Sequence, residues 1–210
     1  MTRQRLTRAE KSAQTRAQLM ASARQLFLRR GFHAASLELV AEEAGFTIGA
    51  VYSRFGSKAD LFLAILDEHL DRLVAEVAQV AAVDQPLEAH AELLAGRRMA
   101  LLEREREWFP LVLEFWSHAA RHERLRGEFA ARHERLVDAY AGLIEADYAR
   151  LGLPLPLAPE VLARAVVAMG NGVALERLAD PGRVPEGLLS TMAMGFLRGV
   201  AAGGPAEGRS

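Results

Sequence analysis

The stretch "FTIGAVYSRFGSK", from Phe46 to Lys58, decides how the N-terminal part of the chain folds. Four of its apolar side chains follow the i, i+3, i+4, i+7 spacing of one helical face: Ile48, Val51, Tyr52 and Phe55. Gly49 stands in the first turn of this predicted helix, where glycine costs about 1 kcal/mol relative to alanine. A glycine in this place indicates that the backbone must approach another surface closely.

Short helices and tight glycine turns surround this stretch. Ser36 is the predicted N-cap of a helix that Gly45 closes, and Thr47 is the predicted N-cap of the helix that begins at Ile48. Only "GFT" separates these two helices. Two short helices joined by a glycine-containing turn are typical of a helix-turn-helix, whose second helix enters the major groove of DNA.

The rest of the chain is also predicted to be helical, and no segment alternates as a strand would. The first helix is predicted from Thr15 to Arg30 with Gly31 at the C′ position, and Ser57 is expected to cap a long fourth helix with Asp60 at N3. Five more helices are predicted at 87–106, 110–120, 123–150, 159–178 and 188–200. The predicted fold class is all-α, with an N-terminal three-helix DNA-binding unit, a larger C-terminal helical domain and about nine helices.

Charge is distributed unevenly along the 210 residues, although the formal net charge is only −1. Residues 1–60 contain ten Lys and Arg against five Asp and Glu, whereas residues 61–210 contain sixteen against twenty-two. A basic N-terminal part favours a polyanionic partner, although a solvated basic tail would give the same numbers.

The composition also excludes several kinds of site. The chain has no cysteine, which excludes disulfides, thiolate metal sites and cysteine-based redox sensing. No apolar run reaches the ~18 residues that cross a bilayer. The N-terminal residues lack the apolar core of a signal peptide, so we expect a cytoplasmic protein without membrane contact.

The segment "SLELVAEEAGFTIGAVYSRFGSKADLF", from Ser36 to Phe62, resembles the signature of the tetracycline-repressor (TetR) family of transcriptional regulators. The similar features are the hydroxyl of Ser36, "VAEEAG", the hydroxyl–x–glycine of "TIG", the two aromatic residues and "SK" before a leucine. "ARQLFLRRGF" is similar to the first helix of the family, so the resemblance covers about the first 65 residues. It implies DNA contacts by Ser36, Thr47, Ile48, Gly49, Ala50, Tyr52, Ser53, Arg54 and Lys58.

Several of these residues have a chemical reason to meet DNA. Thr47 and Lys58 lie at helix N-termini, where backbone N–H groups and the helix dipole favour phosphate. The resemblance implies a backbone contact for Tyr52, while Arg54, where the family often has histidine, could bind a phosphate or a guanine edge. Ile48, where the family more often has a polar residue, could meet a thymine methyl group.

Structural alternatives remain for three of these residues. Ile48 and Tyr52 could be buried core side chains. Gly49 could pack closely against the first helix.

The C-terminal domain is rich in aromatic side chains that could line a small-molecule site. The resemblance implies that this domain binds an effector, and apolar pockets with a few polar groups between helices are the usual sites. The predicted ligand-binding residues are Met99, Trp108, Phe115, Trp116, Phe129, His133, Tyr140 and Asp147. The alternative is a plain core for the aromatic residues and a hydrogen-bonded core histidine for His133.

Three polar residues lie four apart on one helical face, as metal ligands can: Glu114, His118 and His122. Because cysteine is absent and no fourth ligand is near in sequence, an exposed charged face explains them better. We therefore predict neither a metal nor a cofactor.

The last two helices are apolar on two sides, and a helix of that kind must be buried on both. One face can pack on its own domain and the other on a second subunit, and the resemblance implies a twofold four-helix interface. The predicted dimer residues are Val161, Ala165, Ala168, Gly172, Leu175, Met192 and Phe196. Burial of both faces in one larger core is the alternative.

These features predict a one-component transcriptional regulator. It would repress as a homodimer on palindromic double-stranded operator DNA, and a small-molecule effector of unknown identity would release it. The resemblance implies that this release proceeds through a tilt of the fourth helix. We expect a DNA-binding domain at 1–57, an effector-binding and dimerisation domain at 58–203 and a disordered tail at 204–210.

Two other functional classes compete with this interpretation, a helical-bundle enzyme and a DNA-bending protein that senses no ligand. The sequence has no glycine-rich phosphate loop, no G-x-S-x-G and no H-E-x-x-H, so an enzyme is not expected. A DNA-bending protein would not need the large aromatic domain.

Overall fold

Capping side chains set the ends of the first helices. A computed structural model describes residues 7–203, and its first four helices are α1 (Arg8–Ala34), α2 (Leu37–Ala44), α3 (Ile48–Phe55) and α4 (Lys58–Ala81). The Ser36 hydroxyl accepts the Leu39 N–H, and the Thr47 hydroxyl accepts the Ala50 N–H. Both predicted N-caps are therefore confirmed, and Gly45 ends α2 in the left-handed conformation at φ 70°.

α1 begins earlier than the predicted Thr15, because Thr7 and Glu10 form a capping box. The Thr7 hydroxyl accepts the Glu10 N–H, and the Glu10 carboxylate accepts the Thr7 N–H at 2.7 Å. Gly31 leaves the helical conformation at φ 76° and ψ 170°, as its predicted position at the helix end requires. The chain nevertheless continues with a short helical segment to Ala34, which the sequence pattern did not predict.

Five further helices complete the described part of the chain. They are α5 (Leu87–Arg104), α6 (Trp108–Ala119), α7 (Glu123–Leu151), α8 (Pro159–Ala179) and α9 (Leu188–Gly203), with a 3₁₀ turn at Pro181–Arg183. Residues 7–203 thus form nine α-helices without a strand, which confirms the predicted fold class. None of these helices is long and apolar enough to cross a lipid bilayer. The tail predicted at 204–210 lies outside the described residues.

The chain divides into two compact units that alternate along the sequence. The first unit comprises Met1–His69 and Pro110–Phe129, and the second comprises Leu70–Phe109 and Ala130–Ser210. The first unit thus extends beyond the predicted DNA-binding segment 1–57, because it includes the start of α4, most of α6 and the start of α7. The predicted domain boundary after residue 57 stays a prediction.

Each unit has its own hydrophobic core. In the first unit the rings of Phe62 and Phe115 stack at 4.3 Å, and Phe32 meets Phe115 edge-on at 5.0 Å. These three rings are almost fully buried and join α1, α4 and α6. In the second unit α7, α8 and α9 bury a cluster of mostly aliphatic side chains: Val137, Ala141, Ile144, Tyr148, Leu162, Ala163, Val167 and Leu197.

Candidate functional site

One face of α3 is left open by the fold of its own chain. Val51 and Phe55 are buried and anchor the helix, whereas Ile48 and Tyr52 expose 37% and 50% of their surface. The alternative that Ile48 and Tyr52 are core residues is therefore wrong. Apart from Gly49, its two chain neighbours and the adjacent backbone of α3, no described atom lies within 4 Å of the position that a Cβ on Gly49 would take. Packing against α1 thus does not explain Gly49.

The hydroxyl groups of Thr47 and Ser53 in the helix-turn-helix form hydrogen bonds with the backbone of α3. Thr47 Oγ1 lies 3.2 Å from the N–H nitrogen of Ala50, and Ser53 Oγ donates to the Ala50 carbonyl at 3.1 Å. Thr47 and Ser53 are exposed, and Ala50 and Ser36 are half-buried. The cap uses Thr47 only as an acceptor, so its hydroxyl hydrogen can still be donated.

Arg54 is less exposed than the sequence suggested. Its side chain is half-buried and folds back along α3, where Nη1 donates to the Ala50 carbonyl at 3.1 Å. Its buried Nε has no hydrogen-bond partner among the described atoms. The Arg16 guanidinium of α1 lies 4.7 Å from the ring centre of Phe55 and brings a second cation to the end of α3. No sequence spacing could reveal Arg16, because the contact joins residues far apart in the chain.

The Lys58 ammonium has a structural role that sequence reasoning missed. Its Nζ donates to the carbonyls of Phe32, His33 and Ala35 at 2.7, 3.1 and 2.9 Å, and it lies 4.6 Å from the ring centre of Phe32. An ammonium group has three N–H donors, so these three carbonyls use all of them. This geometry favours a structural role for the ammonium, and the predicted contact of Lys58 with phosphate stays a prediction. Burial lowers the pKa of Lys58, opposed by the nearby Glu114 carboxylate.

Glu114 accepts hydrogen bonds from the backbone of α1. It is one of the three polar residues that were considered as metal ligands, with His118 and His122. Its two carboxylate oxygens accept the N–H groups of Phe32 and His33, each at 3.0 Å. The rings of His118 and His122 lie 4.4 Å apart, and burial is the largest cause that lowers the pKa of His118, followed by the charge of His122. Among the side chains that the structure describes, no group of three His, Cys, Asp or Glu is arranged to hold a metal ion.

The second unit contains a pocket between α4, α5, α7, α8 and α9. The space between these helices, counted together with a part that is open to solvent, is about 890 Å³. Most of the wall is aliphatic, with Leu73, Leu94, Ile144, Val167 and Leu197 among its residues. The polar side chains of the wall are Glu76, His90, Arg98, Tyr140, Asp147 and Asn171.

Two of the eight predicted ligand-binding residues line this pocket, Tyr140 and Asp147. Trp116 is exposed, while Phe115 and Phe129 lie in the first unit, where their rings contact each other. The remaining three are Met99, Trp108 and His133, which belong to the second unit but do not line the pocket. The aromatic spacing reflects helix packing here, which was the structural alternative.

His90 and Asp147 form a buried hydrogen-bonded pair at the pocket wall. His90 Nδ1 lies 3.0 Å from both carboxylate oxygens of Asp147, and its Nε2 lies 3.0 Å from the Val83 carbonyl oxygen. A carbonyl only accepts, so Nε2 carries a hydrogen, and the Arg150 guanidinium also pairs with Asp147. Both ring nitrogens of His90 therefore have hydrogen-bond partners, and His90 and Arg150 engage Asp147 within the protein.

Arg98 is a charged residue of the pocket wall that sequence reasoning missed. Its Nη2 donates to the side-chain oxygen of Asn171 at 3.3 Å, and its guanidinium lies 6.0 Å from the ring centre of Phe109. Burial lowers the pKa of Arg98 and raises that of Tyr140. The series His90, Leu94, Arg98 repeats every four residues along α5, so helical spacing could have placed these side chains on one face.

α8 and α9 leave an apolar stripe uncovered. Leu162, Val167 and Val173 are buried, whereas Val161 and Leu175 expose 52% and 53% of their surface. The other predicted dimer residues are exposed or half-buried: Ala165, Ala168, Gly172, Met192 and Phe196. One chain therefore does not bury both faces of α8, and the interpretation of a single larger core is wrong. The role of the stripe as an interface stays a prediction.

Two family models match this chain. One, described as "Bacterial regulatory proteins, tetR family", matches residues 19–65 and covers α2 and α3. The other, described as "BetI-type transcriptional repressor, C-terminal", matches residues 86–202 and covers α5 to α8 and nearly all of α9.

Similar proteins with curated names are transcriptional regulators. The repressor BepR of Brucella suis is 26% identical over 172 residues, which cover 80% of this chain and 82% of BepR. The activator FasR of Mycolicibacterium smegmatis is 42% identical over 64 residues, which cover 30% of this chain and only 29% of FasR.

Solved structures share the fold over nearly the whole chain. Salmonella enterica GusR aligns with a TM-score of 0.76 at 22% identity and covers 93% of this chain and 100% of that one. NalD, a repressor of a multidrug efflux pump in Pseudomonas aeruginosa, aligns with a TM-score of 0.61 at 25% identity and covers 94% and 100% of the two chains. The C-terminal family match alone exceeds half of the chain, and the helix-turn-helix match precedes it. The protein therefore belongs to the TetR family of bacterial transcriptional regulators and is not an enzyme.

Proposed function

We propose that this protein is a dimeric cytoplasmic repressor that binds a palindromic operator and leaves it when a small molecule fills the pocket of the second unit. The observation that carries the proposal is the open face of α3. Ile48 and Tyr52 are exposed there, and a Cβ on Gly49 would meet no described atom. An exposed apolar and aromatic face on a short helix needs a partner, and the major groove is the partner that a helix-turn-helix fits.

Each exposed group of α3 matches a feature of B-DNA. The Thr47 hydroxyl and the first N–H groups of α3 are suited to a phosphate, as is the Tyr52 hydroxyl. Ile48 can contact a thymine methyl group, which only the major groove displays. Gly49 lets the backbone come close to the base edges. Arg54 and Ser53, at the far end of α3, would add contacts with phosphate or base.

Pairing of α8 and α9 with a second copy would cover the apolar stripe from Val161 to Leu175. A Cβ on Gly172 would meet no described atom, so the two backbones can approach closely there. A twofold axis would present two α3 helices to two half-sites, which lie about 34–36 Å apart in successive major grooves.

The pocket and the helix that follows α3 share residues. α4 begins at Lys58 in the first unit, and Leu73, Glu76 and Val77 near its other end line the pocket. A ligand that moves these side chains would shift α4, and with it the spacing of the two α3 helices. Only a ligand that binds the two arrangements with different affinity can drive this change.

Repression rather than activation is supported by the extent of the similarity to BepR. BepR is named as a repressor and aligns over four-fifths of both chains, whereas the activator FasR aligns over less than a third of either. The C-terminal domain, which would couple ligand to DNA, is also the part that matches a repressor family model.

Fluorescence anisotropy with the DNA upstream of the protein's own gene tests the proposal. We expect the full chain to bind this duplex about 10³-fold or more tightly than an unrelated duplex of equal length at the same salt concentration. Tyr52→Phe should weaken binding to both duplexes by similar factors, because phosphate contacts position the protein without reading sequence. Equal affinity of the wild-type protein for both duplexes would contradict an operator-specific function.

A further inference from the structure

We infer that the pocket binds an amphiphilic anion, whose carboxylate pairs with Arg98 and whose apolar body lies against the aliphatic wall. This inference rests on the proposed effector-binding function and names the chemical class of the effector. It follows from the charges in the wall, from the bonding of Arg98 and from the nature of the remaining lining.

The pair of His90 and Asp147 requires no charge from a ligand. The His90 ring and the Asp147 carboxyl group lie 3.0 Å apart and are both almost fully buried. Arg150 also pairs with Asp147, and the Val83 carbonyl accepts the second ring N–H of His90. Since these groups satisfy one another, they contribute shape and rigidity to the wall rather than a free charge.

Arg98 lacks the counter-ion that Asp147 has. Its hydrogen-bond partner is the neutral amide of Asn171 at 3.3 Å, and no described carboxylate lies within 4.0 Å of the guanidinium. A guanidinium has five N–H donors, so donors remain for a ligand. Burial lowers the pKa of Arg98, which means that the charged form loses hydration in this place. A carboxylate on the ligand would supply the missing partner, and the two planar groups can bond in parallel.

Glu76 is the charge in the wall that opposes this inference. Its negative charge acts on both Arg98 and Tyr140, although it forms no ion pair with Arg98. A cationic ligand could pair with Glu76, but it would then share the pocket with the unpaired guanidinium. An anion instead pairs with the guanidinium, whose planar fork of N–H donors matches the geometry of a carboxylate. The experiment therefore includes a cation of the same length.

The rest of the wall indicates the body of the ligand. Apart from the six polar side chains, the lining consists of aliphatic side chains and one glycine, with no further charge. Tyr140 adds an aromatic surface with one hydroxyl group. An alkyl or aryl chain suits such a wall, because transfer of each buried methylene from water is favourable by about 0.8 kcal/mol.

Thermal shift and calorimetry on the full chain test the inference with three ligands of equal length: decanoate, decanamide and decylammonium. We expect decanoate to raise the melting temperature and to bind about tenfold to a hundredfold more tightly than decanamide, because hydrogen bonds to ionised groups are the stronger ones. Decylammonium should bind more weakly than decanamide. Carboxylates from hexanoate to myristate would define the best length.

Variants on α5 locate the charge that causes the preference. Arg98→Gln should bind decanoate and decanamide about equally, whereas Arg97→Gln, at the neighbouring position outside the pocket wall, should keep the wild-type preference. If Arg98→Gln does not fold, Arg98→Lys provides the second test, because it keeps the charge but loses the paired bonds and should reduce the preference. An unchanged preference in the glutamine variant would overturn the role of Arg98.

The same preparations distinguish this inference from the proposed function. A protein that binds its operator but prefers decylammonium, or binds no carboxylate of the series, would overturn the anionic ligand alone. A protein that binds decanoate through Arg98 but has no affinity for operator DNA would leave the pocket chemistry intact and overturn the repressor function.

Discussion

Glu114 Oε2 lies 3.0 Å from the backbone nitrogen of Phe32, and this hydrogen bond ties α6 to the break in α1. The other carboxylate oxygen accepts the His33 N–H, while Lys58 donates to the carbonyls of the same segment. Donors and acceptors that the break at Gly31 frees are thus satisfied from two sides. The segment before the helix-turn-helix is therefore fixed by two charged side chains rather than by helix geometry.

Gly31→Ala should destabilise the protein by about 1–3 kcal/mol, because φ 76° and ψ 170° belong to a region that is essentially restricted to glycine. A Cβ at this position would also stand 2.8 Å from Glu114 Oε2 and would push the carboxylate away from the backbone N–H groups. Urea unfolding followed by circular dichroism measures the change as a lower midpoint with an unchanged slope.

Gly127→Ala is the matched control for that change. Gly127 lies inside α7, and no described atom other than its chain neighbours and the adjacent helix backbone lies within 4 Å of its Cβ position. Alanine there should stabilise the protein by up to about 1 kcal/mol. A Gly31→Ala protein as stable as the wild type would contradict the argument from backbone conformation.

Lys58→Met should lower the free energy of unfolding by about 1–3 kcal/mol, because three carbonyls lose a charged donor while the aliphatic stem remains. Since all three ammonium donors are used within the protein, the salt dependence of operator binding should stay unchanged. Urea unfolding and anisotropy titrations at several salt concentrations provide the two measurements.

A phosphate role for Lys58 would give the opposite pair of results. Stability would stay unchanged, and the slope of log K against log salt would flatten by roughly 0.9 for each phosphate that the lysine had neutralised. Tyr52→Phe is the comparison, because its exposed hydroxyl should affect DNA affinity without affecting stability.

Local sequence signals make much of the helix-turn-helix predictable. Contacts between residues that are distant in the sequence cannot be predicted in this way. The caps at Ser36 and Thr47 depend on residues three positions away, so the sequence contains the whole interaction. Thr7 and Glu10 carry the same kind of signal, so the earlier start of α1 was also predictable. Lys58 and Glu114 instead act on residues about 25 and 81 positions away, and no periodicity encodes such a pairing.

The residues that line the pocket were also difficult to predict from the sequence, for a different reason. Aromatic side chains in α6 and α7 were expected to line it, but burial of Phe115 against Phe62 satisfies the same hydrophobic pattern. Helical periodicity distinguishes a buried face from an exposed one, and it does not say whether the buried face meets protein or ligand. The polar side chains of His90 and Arg98 were visible on one face of α5, yet their partners lie on α7 and α8.

Asp147→Ala should destabilise the protein by about 1–3 kcal/mol, because it leaves a buried ring nitrogen of His90 without its hydrogen-bond partner. Asp138→Ala, on the exposed surface of the same helix, should change stability by less than about 0.5 kcal/mol. Urea unfolding of both variants checks the expectation. Equal midpoints for the two variants would mean that the buried pair contributes no net stability.

Ala168→Glu should convert the protein to monomers, because it places a charge in the exposed apolar stripe of α8. Operator affinity should fall when dimerisation is lost, because a monomer has one α3 helix and reaches only one half-site. Sedimentation velocity gives the oligomeric state, and circular dichroism checks that the helices persist. Ala131→Glu, an equal change at an exposed position of α7, should remain dimeric. A dimeric Ala168→Glu protein with full affinity would place the interface elsewhere.

Gly49→Ala should stabilise the protein by up to about 1 kcal/mol, because alanine is the better helix former and its Cβ would meet no described atom. The same change should weaken operator binding, since the added methyl group faces the surface that we assign to DNA. Thermal unfolding and anisotropy titration measure the two effects on one preparation. Their opposite directions are the specific signature of a glycine that serves close approach to a ligand.

Gly96→Ala separates this signature from a general effect of alanine. Gly96 lies inside α5, its Cβ position is equally open, and it is far in sequence from α3. The variant should gain stability by a similar amount and bind the operator as the wild type does. If Gly49→Ala also binds normally, the open space above Gly49 remains open in the complex, and the close approach must be made by another part of the helix-turn-helix. Weakened binding by Gly49→Ala alone would instead identify the first turn of α3 as the segment nearest to DNA.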